Sequence, residues 1–276
     1  MRTAGSVADV RGYGPHDHLC LAYDDAAEFR DSALRFLADG LARGQRVQYV
    51  AGRASADLAA EIDGLAAGRP GAVHVRSLLN TYRTDAVVEP AVQVQAYAAL
   101  TEEALADGFT GLRVAADATP LVRDPDRLDA FARYEHLVDR YMVTAPFSAM
   151  CAYDRTALGP EVVAQVACMH PSAGAGVTPF RLYASGHAAA ALDGELDIHT
   201  RDRFASALER AALAPSGGEL VLDATGLTFV DHRTVLALAE LARRLGATVV
   251  LRTALGTVRR LVTLLDVEGV RVEQPE

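Results

Sequence analysis

Two short runs hold the residues best suited to binding or reacting. His16, His18 and Cys20 form an H-x-H-x-C pattern, and Cys168 and His170 form a C-x-H pattern far along the chain. Imidazole and thiolate together suit zinc, copper or haem iron. The spacings are tighter and fewer than a standard zinc framework requires, and nothing in the sequence joins the two runs, so the expectation is no metal and no cofactor. Cys20 has two further readings. Beside His18 its thiol could ionise readily and report redox state, or it is a small buried hydrophobe in a strand. For Cys151 and Cys168, set among apolar neighbours, the buried reading leads.

Catalytic sets are missing. The sequence has no G-x-S-x-G elbow, no HExxH, no dinucleotide G-x-G-x-x-G after a strand and no GxxxxGK[ST] phosphate loop. All 27 basic residues are arginine, which removes Schiff-base and phosphate-loop lysine chemistry. The pairs Asp24-Asp25 and Glu102-Glu103 are adjacent residues, which do not converge on one substrate atom from a helix. The expectation is a protein that is not an enzyme. The net charge of −9, with 16 Arg against 23 acidic residues up to 179 and 11 against 13 after it, disfavours a nucleic-acid partner. A leader-like N-terminus and any run of 18 apolar residues are both lacking, so a cytoplasmic protein with no membrane contact is expected. Three widely spaced cysteines read as reduced thiols.

The positioning elements follow from periodicity. Phe29, Ala33, Phe36, Leu37 and Leu41 recur at helical spacing and predict a helix closing near Gly44. Strands are expected at 46–51, 73–78, 111–117 and 147–153, and helices at 55–67, after Pro90 and at 126–141. This alternation predicts a largely parallel sheet covered on both faces, an α/β fold. The small, proline-bounded stretch from Pro171 to Pro179 reads as a boundary, giving domains at 1–171 and 180–276 with a linker at 172–179. The second half is expected to open with a hairpin around Ser185-Gly186-His187, then to alternate helices at 200–212, 233–245 and 257–265 with strands at 219–223 and 248–251. Parallel sheets bind ligands beyond the strands' carboxyl ends. If His18, Cys20, Tyr23, Asp117 and Tyr153 share that crevice, they form a mostly apolar pocket for a small organic ligand.

Leu192-Asp193-Gly194-Glu195-Leu196-Asp197, followed after a helix by Leu220 to Asp231 with its D-x-x-G-x-x-F-x-D passage, resembles the STAS domain of bacterial anti-sigma factor antagonists. The resemblance covers about 179–275. It implies a serine, phosphorylated by a kinase that is also the anti-sigma factor, at the start of the following helix. Here the stretch is Asp231-His232-Arg233-Thr234, with Arg233 at the serine position and Thr234 at a glycine position. The resemblance thus implies a partner-binding turn of Asp231, His232, Arg233 and Thr234 without the usual switch. Asp231 reads as a cap and Thr234 as a first-turn residue.

His18-Leu19-Cys20-Leu21-Ala22-Tyr23, Glu28-Phe29, Gly111 to Val114, Tyr134-Glu135, Cys151 to Asp154 and His170-Pro171 resemble the MEDS domain, over about 13–171. The resemblance implies a RecA-like three-layer fold without a working phosphate loop, and sensing of small molecules such as hydrocarbon derivatives. Together the two likenesses imply a signalling regulator that senses a ligand through its first half and transmits by contact with an anti-sigma factor or related protein through its second. Homodimers are compatible with both families. The alternatives are a degenerate nucleotide-binding ATPase-like protein and a constitutive scaffold for an anti-sigma partner.

Overall fold

The computed structural model describes residues 2–52, 56–66, 68–82 and 86–275. The chain divides into two compact units, 1–177 and 178–276. In order, the first contains β1 (Gly5–Val7), β2 (His18–Tyr23), α1 (Ala26–Ala42), β3 (Arg46–Ala51), α2 (Ala56–Gly64), β4 (Val73–Ser77), α3 (Leu78–Tyr82) and α4 (Pro90–Ala106). It continues with β5 (Leu112–Asp117), a 3-10 turn (Thr119–Val122), α5 (Pro125–Thr144), β6 (Phe147–Asp154), α6 (Arg155–Leu158), α7 (Pro160–Ala167) and β7 (Ser172–Gly174). Ser55 and Ala67, the expected limits of α2, lie outside the described residues. Caps set the helix starts: Asp25 accepts the Ala27 N–H at 2.9 Å, and Asp124 accepts that of Arg127 at 3.0 Å ahead of Pro125.

The strands form one sheet in the order β1-β7-β2-β6-β5-β3-β4, every pair parallel. Side chains alternate across it. One face sends Leu19, Tyr23, Tyr49 and Met150 against Phe29, Phe36 and Leu37 of α1. The other sends His18, Cys20, Gln48, Cys151 and Tyr153 towards the layer of α4, α5 and α7. Arg113 is fully buried under α1. Its guanidinium lies 4.5 Å over the Phe36 ring and donates to the Tyr13 carbonyl at 2.5 Å, the Phe36 carbonyl at 3.2 Å, Gln45 Oε1 at 2.8 Å and Asp39 at 3.1 Å. Its stem runs so close to α1 that a Cβ on Gly40 would lie 2.6 Å from Arg113 Cδ.

The expected linker at 172–179 needs correction. Ser172–Gly174 is β7, hydrogen-bonded between β1 and β2. Small residues read as flexible spacer, yet Ser172 and Ala173 are buried, and small side chains also suit a short strand packed between neighbours.

The second unit contains β8 (Phe180–Tyr183), β9 (Ala190–Leu196), α8 (Arg201–Ala211), β10 (Glu219–Asp223), β11 (Leu227–Val230), α9 (His232–Leu245), β12 (Thr248–Arg252), α10 (Gly256–Leu264) and β13 (Val270–Glu273). Its sheet runs β11-β9-β10-β12-β13 in parallel, with β8 antiparallel on β9 as the expected hairpin. Asp193-Gly194-Glu195-Leu196 forms the end of β9. Gly194 holds φ +90° there, and a Cβ on it would meet the Pro179 carbonyl oxygen at 2.2 Å. Only glycine fits that position.

Candidate functional site

Beneath α5, four elements direct polar side chains into one buried space. His18 comes from β2, Cys151 from β6, Glu135 from α5 and His170 from the turn after α7, and all four are buried. One donor atom from each lies within 4.8 Å of the others. His18 Nε2 is 3.3 Å from Glu135 Oε2 and 3.6 Å from Cys151 Sγ, and that sulfur is 3.6 Å from Glu135 Oε2. His170 Nε2 stands 3.6 Å from Glu135 Oε1 and has no hydrogen-bond partner.

The outward nitrogens of both imidazoles are occupied. Nδ1–H of His18 donates to Asp139 Oδ1 at 3.1 Å, and Asp139 is paired with Arg2. Nδ1–H of His170 donates to the Val166 carbonyl at 2.9 Å. Each ring therefore presents an unprotonated Nε2 inward, that of His18 within reach of the Cys151 thiol and that of His170 without a partner. The Tyr153 hydroxyl donates to Glu135 Oε1. Burial, and then the Arg2 charge, pushes His18 well below the usual imidazole value. Burial and then His18 hold His170 down at about 3. Burial raises Glu135 and, with Glu135 adding to it, raises Cys151 and Tyr153. The low dielectric disfavours every isolated charge here.

The residues singled out from the sequence separate. His18 and Tyr153 both belong to this cluster, and Cys20 shares their face of the sheet as the register partner of Cys151. Cys20 is fully buried and burial pushes its thiol well up, which favours the buried-hydrophobe reading over a readily ionised sulfur. Tyr23 and Asp117 point to the opposite face, where the Tyr23 hydroxyl lies 3.3 Å from Asp117 Oδ1 and 3.5 Å from Thr119 Oγ1. The expected five-residue crevice is therefore not one site, because strand alternation divides its members. His16 turns away to the Ala145 carbonyl at 2.8 Å, and Cys168 Sγ donates to the Gln165 carbonyl at 3.3 Å. Sequence reasoning missed Glu135 and set Cys151 aside as packing. A signal for Glu135 existed: it follows Leu128 and Phe131 and precedes Val138 and Met142 on the apolar stripe of α5.

A second feature lies on the same side of the sheet, between α4 and the β3–β4 edge. A cleft of about 480 Å³ is lined by Gln48, Arg76, Asn80, Gln93, Leu100 and Glu103, among others. Gln48 is fully buried, and neither atom of its amide has a hydrogen-bond partner.

In the second unit Asp231 caps α9, accepting the Thr234 N–H at 2.8 Å and the Thr234 hydroxyl at 2.9 Å. Thr234 is buried, while His232 and Arg233 are exposed. Among the described residues no helix is long and apolar enough to cross a membrane.

Family comparison matches residues 17–171 to MEDS, the methanogen/methylotroph DcmR sensory domain. Residues 183–273 match the family described as Mlab, STAS domain. No curated protein matches the chain at a significant level. The two matches follow the order that the residues suggested, and the first spans more than half of the 276 residues. The chain belongs to the MEDS family and carries a STAS domain behind that sensory domain.

Proposed function

We propose that the chain is a signalling regulator whose first unit senses a small organic molecule and whose second passes the state on by protein contact. The observation that carries the ligand reading is Gln48. A buried amide with four unmet hydrogen-bonding positions is costly, and it faces a cleft of the size that small ligands occupy. The polar groups at the carboxyl ends of the strands, by contrast, are largely spent on one another through Tyr23, Asp117 and Thr119. The pairing of a sensory domain with a STAS domain supports the division of roles, because STAS domains generally act through protein contacts.

Output runs through noncovalent contact at the exposed His232 and Arg233, with an anti-sigma factor or related regulator as partner. Arg233 cannot accept a phosphoryl group, and the Thr234 hydroxyl is buried and donated to Asp231. The chain carries out no reaction of its own, acts in the cytoplasm and needs no nucleic acid. Ligand binding must favour one state of the protein for any message to pass.

Thermal unfolding with a series of short-chain alcohols and amides tests the ligand reading. A member of the series raises the melting temperature of the wild-type chain and leaves that of Gln48→Leu unchanged. Equal shifts in both proteins, or none in either, reject the cleft. Intact mass after incubation with ATP and candidate anti-sigma kinases tests the output, and phosphate on Thr234 rejects the noncovalent reading.

A further inference from the structure

We propose that His18, Glu135, Cys151 and His170 bind one zinc-type divalent cation through the two Nε2 atoms, the Cys151 thiolate and the Glu135 carboxylate. The site is independent of the small-molecule reading above and uses none of the residues that line the cleft over Gln48.

Geometry is the first support. Zinc bonds of ~2.0–2.3 Å in a tetrahedron set neighbouring donors about 3.3–3.7 Å apart. His18 Nε2 is 3.3 Å from Glu135 Oε2 and 3.6 Å from Cys151 Sγ, and that sulfur is 3.6 Å from Glu135 Oε2. His170 Nε2 is 3.6 Å from the other carboxylate oxygen, Oε1, and one donor atom from each of the four residues lies within 4.8 Å of the rest. The first three donors therefore already stand at that spacing, and His170 closes in by a small shift on binding. The second support is the unpaired His170 Nε2, a buried lone pair aimed into the cluster beyond hydrogen-bond reach of any donor. Hydrogen bonding within the cluster satisfies the other three residues and leaves that atom bare. A cation meets all four at once.

The surroundings agree. Ligating imidazoles characteristically donate their other N–H to a carboxylate or a backbone carbonyl, which fixes tautomer and ring orientation. His18 does so to Asp139, and His170 to the Val166 carbonyl. Tyr153 donates to Glu135 and orients the carboxylate. Charge also closes: a divalent cation with one thiolate and one carboxylate is neutral, the state a dry interior tolerates. On binding, the Cys151 thiol proton and any proton on Glu135 leave to solvent. Four protein ligands without an open position make this a closed site, suited to holding β2, β6, α5 and the turn after α7 together rather than to activating water. The metal-free expectation drawn from sequence spacing does not apply to this set, because its members meet only through the fold.

The test uses the full chain produced in minimal medium supplemented with zinc or with cobalt alone. The expected result is a single bound cation per folded chain by elemental analysis. The cobalt form shows a thiolate-to-metal charge-transfer band and the intense visible bands of tetrahedral cobalt. Cys151→Ser removes the charge-transfer band, while Cys20→Ser and Cys168→Ser leave it unchanged. If Cys151→Ser does not fold, the wild-type metal content and spectrum still decide the question. A folded wild-type chain that carries neither metal, or a cobalt spectrum lost in Cys20→Ser and kept in Cys151→Ser, overturns the proposal and leaves a purely hydrogen-bonded cluster.

Discussion

The two units place their polar chemistry in opposite locations. In the first, Asp17, Gln48, Arg113, Glu135, His136, Asp139 and His170 are all buried beside the sheet. In the second, the buried polar residues are Thr200, Arg210, Thr234 and Thr253, whereas His187, His199 and His232 are exposed. Its rim also presents apolar side chains, with Leu264 at 79% exposure the most open large hydrophobe among the described residues. Burying a charge or an amide is unfavourable unless something inside meets it. The first unit is thus built around interior contents, and the second keeps a conventional apolar core and displays its chemistry outward.

Four substitutions probe that contrast. Arg113→Ala removes the donor for two buried carbonyls and for Gln45, so the first unit should lose about 3–5 kcal/mol in urea unfolding. A loss below about 1 kcal/mol would show that the interior network is incidental. Gly194→Ala, strained by its φ of +90° and by the Pro179 carbonyl, should cost the second unit about 1–3 kcal/mol. An unchanged urea midpoint there would mean that β9 re-forms without the constriction. Asp231→Ala removes the α9 cap and should cost about 1 kcal/mol while leaving the first unit's transition in place. Movement of both transitions together would erase the distinction between the units. Leu264→Ser should change stability by no more than about 0.5 kcal/mol, and a larger loss would place Leu264 in a packed contact instead of a displayed one.

Much of the architecture was legible because the strands are apolar runs and the helices carry stripes. Phe29 to Leu41 marked α1, and Gly111 to Asp117 marked β5 almost to the residue. The short strands β1, β7, β11 and β13 escaped, since three or four residues hold too little pattern to separate strand from loop. β7 was hidden further by its small residues. The cluster was legible only in its parts. His18 and His170 stood out by type, but the ring–ring approach of 4.1 Å depends on the register of β2 and on the path after α7, which no local spacing encodes. Glu135 was concealed because acids are expected on a solvated helix face, and its place on the stripe of α5 was the clue to the contrary. In the second unit the capping role of Asp231 was readable, since a cap is decided within a few residues of chain.

The stem of Arg113 passing over Gly40 ties the histories of two positions together. Alanine is the better helix former by roughly 1 kcal/mol, yet at 40 its methyl would collide with a side chain that anchors β5 to α1. Shortening 113 first strands the Tyr13 carbonyl and takes the donor from Gln45 Oε1. Neither step is open alone, so these two sites can drift only as a pair.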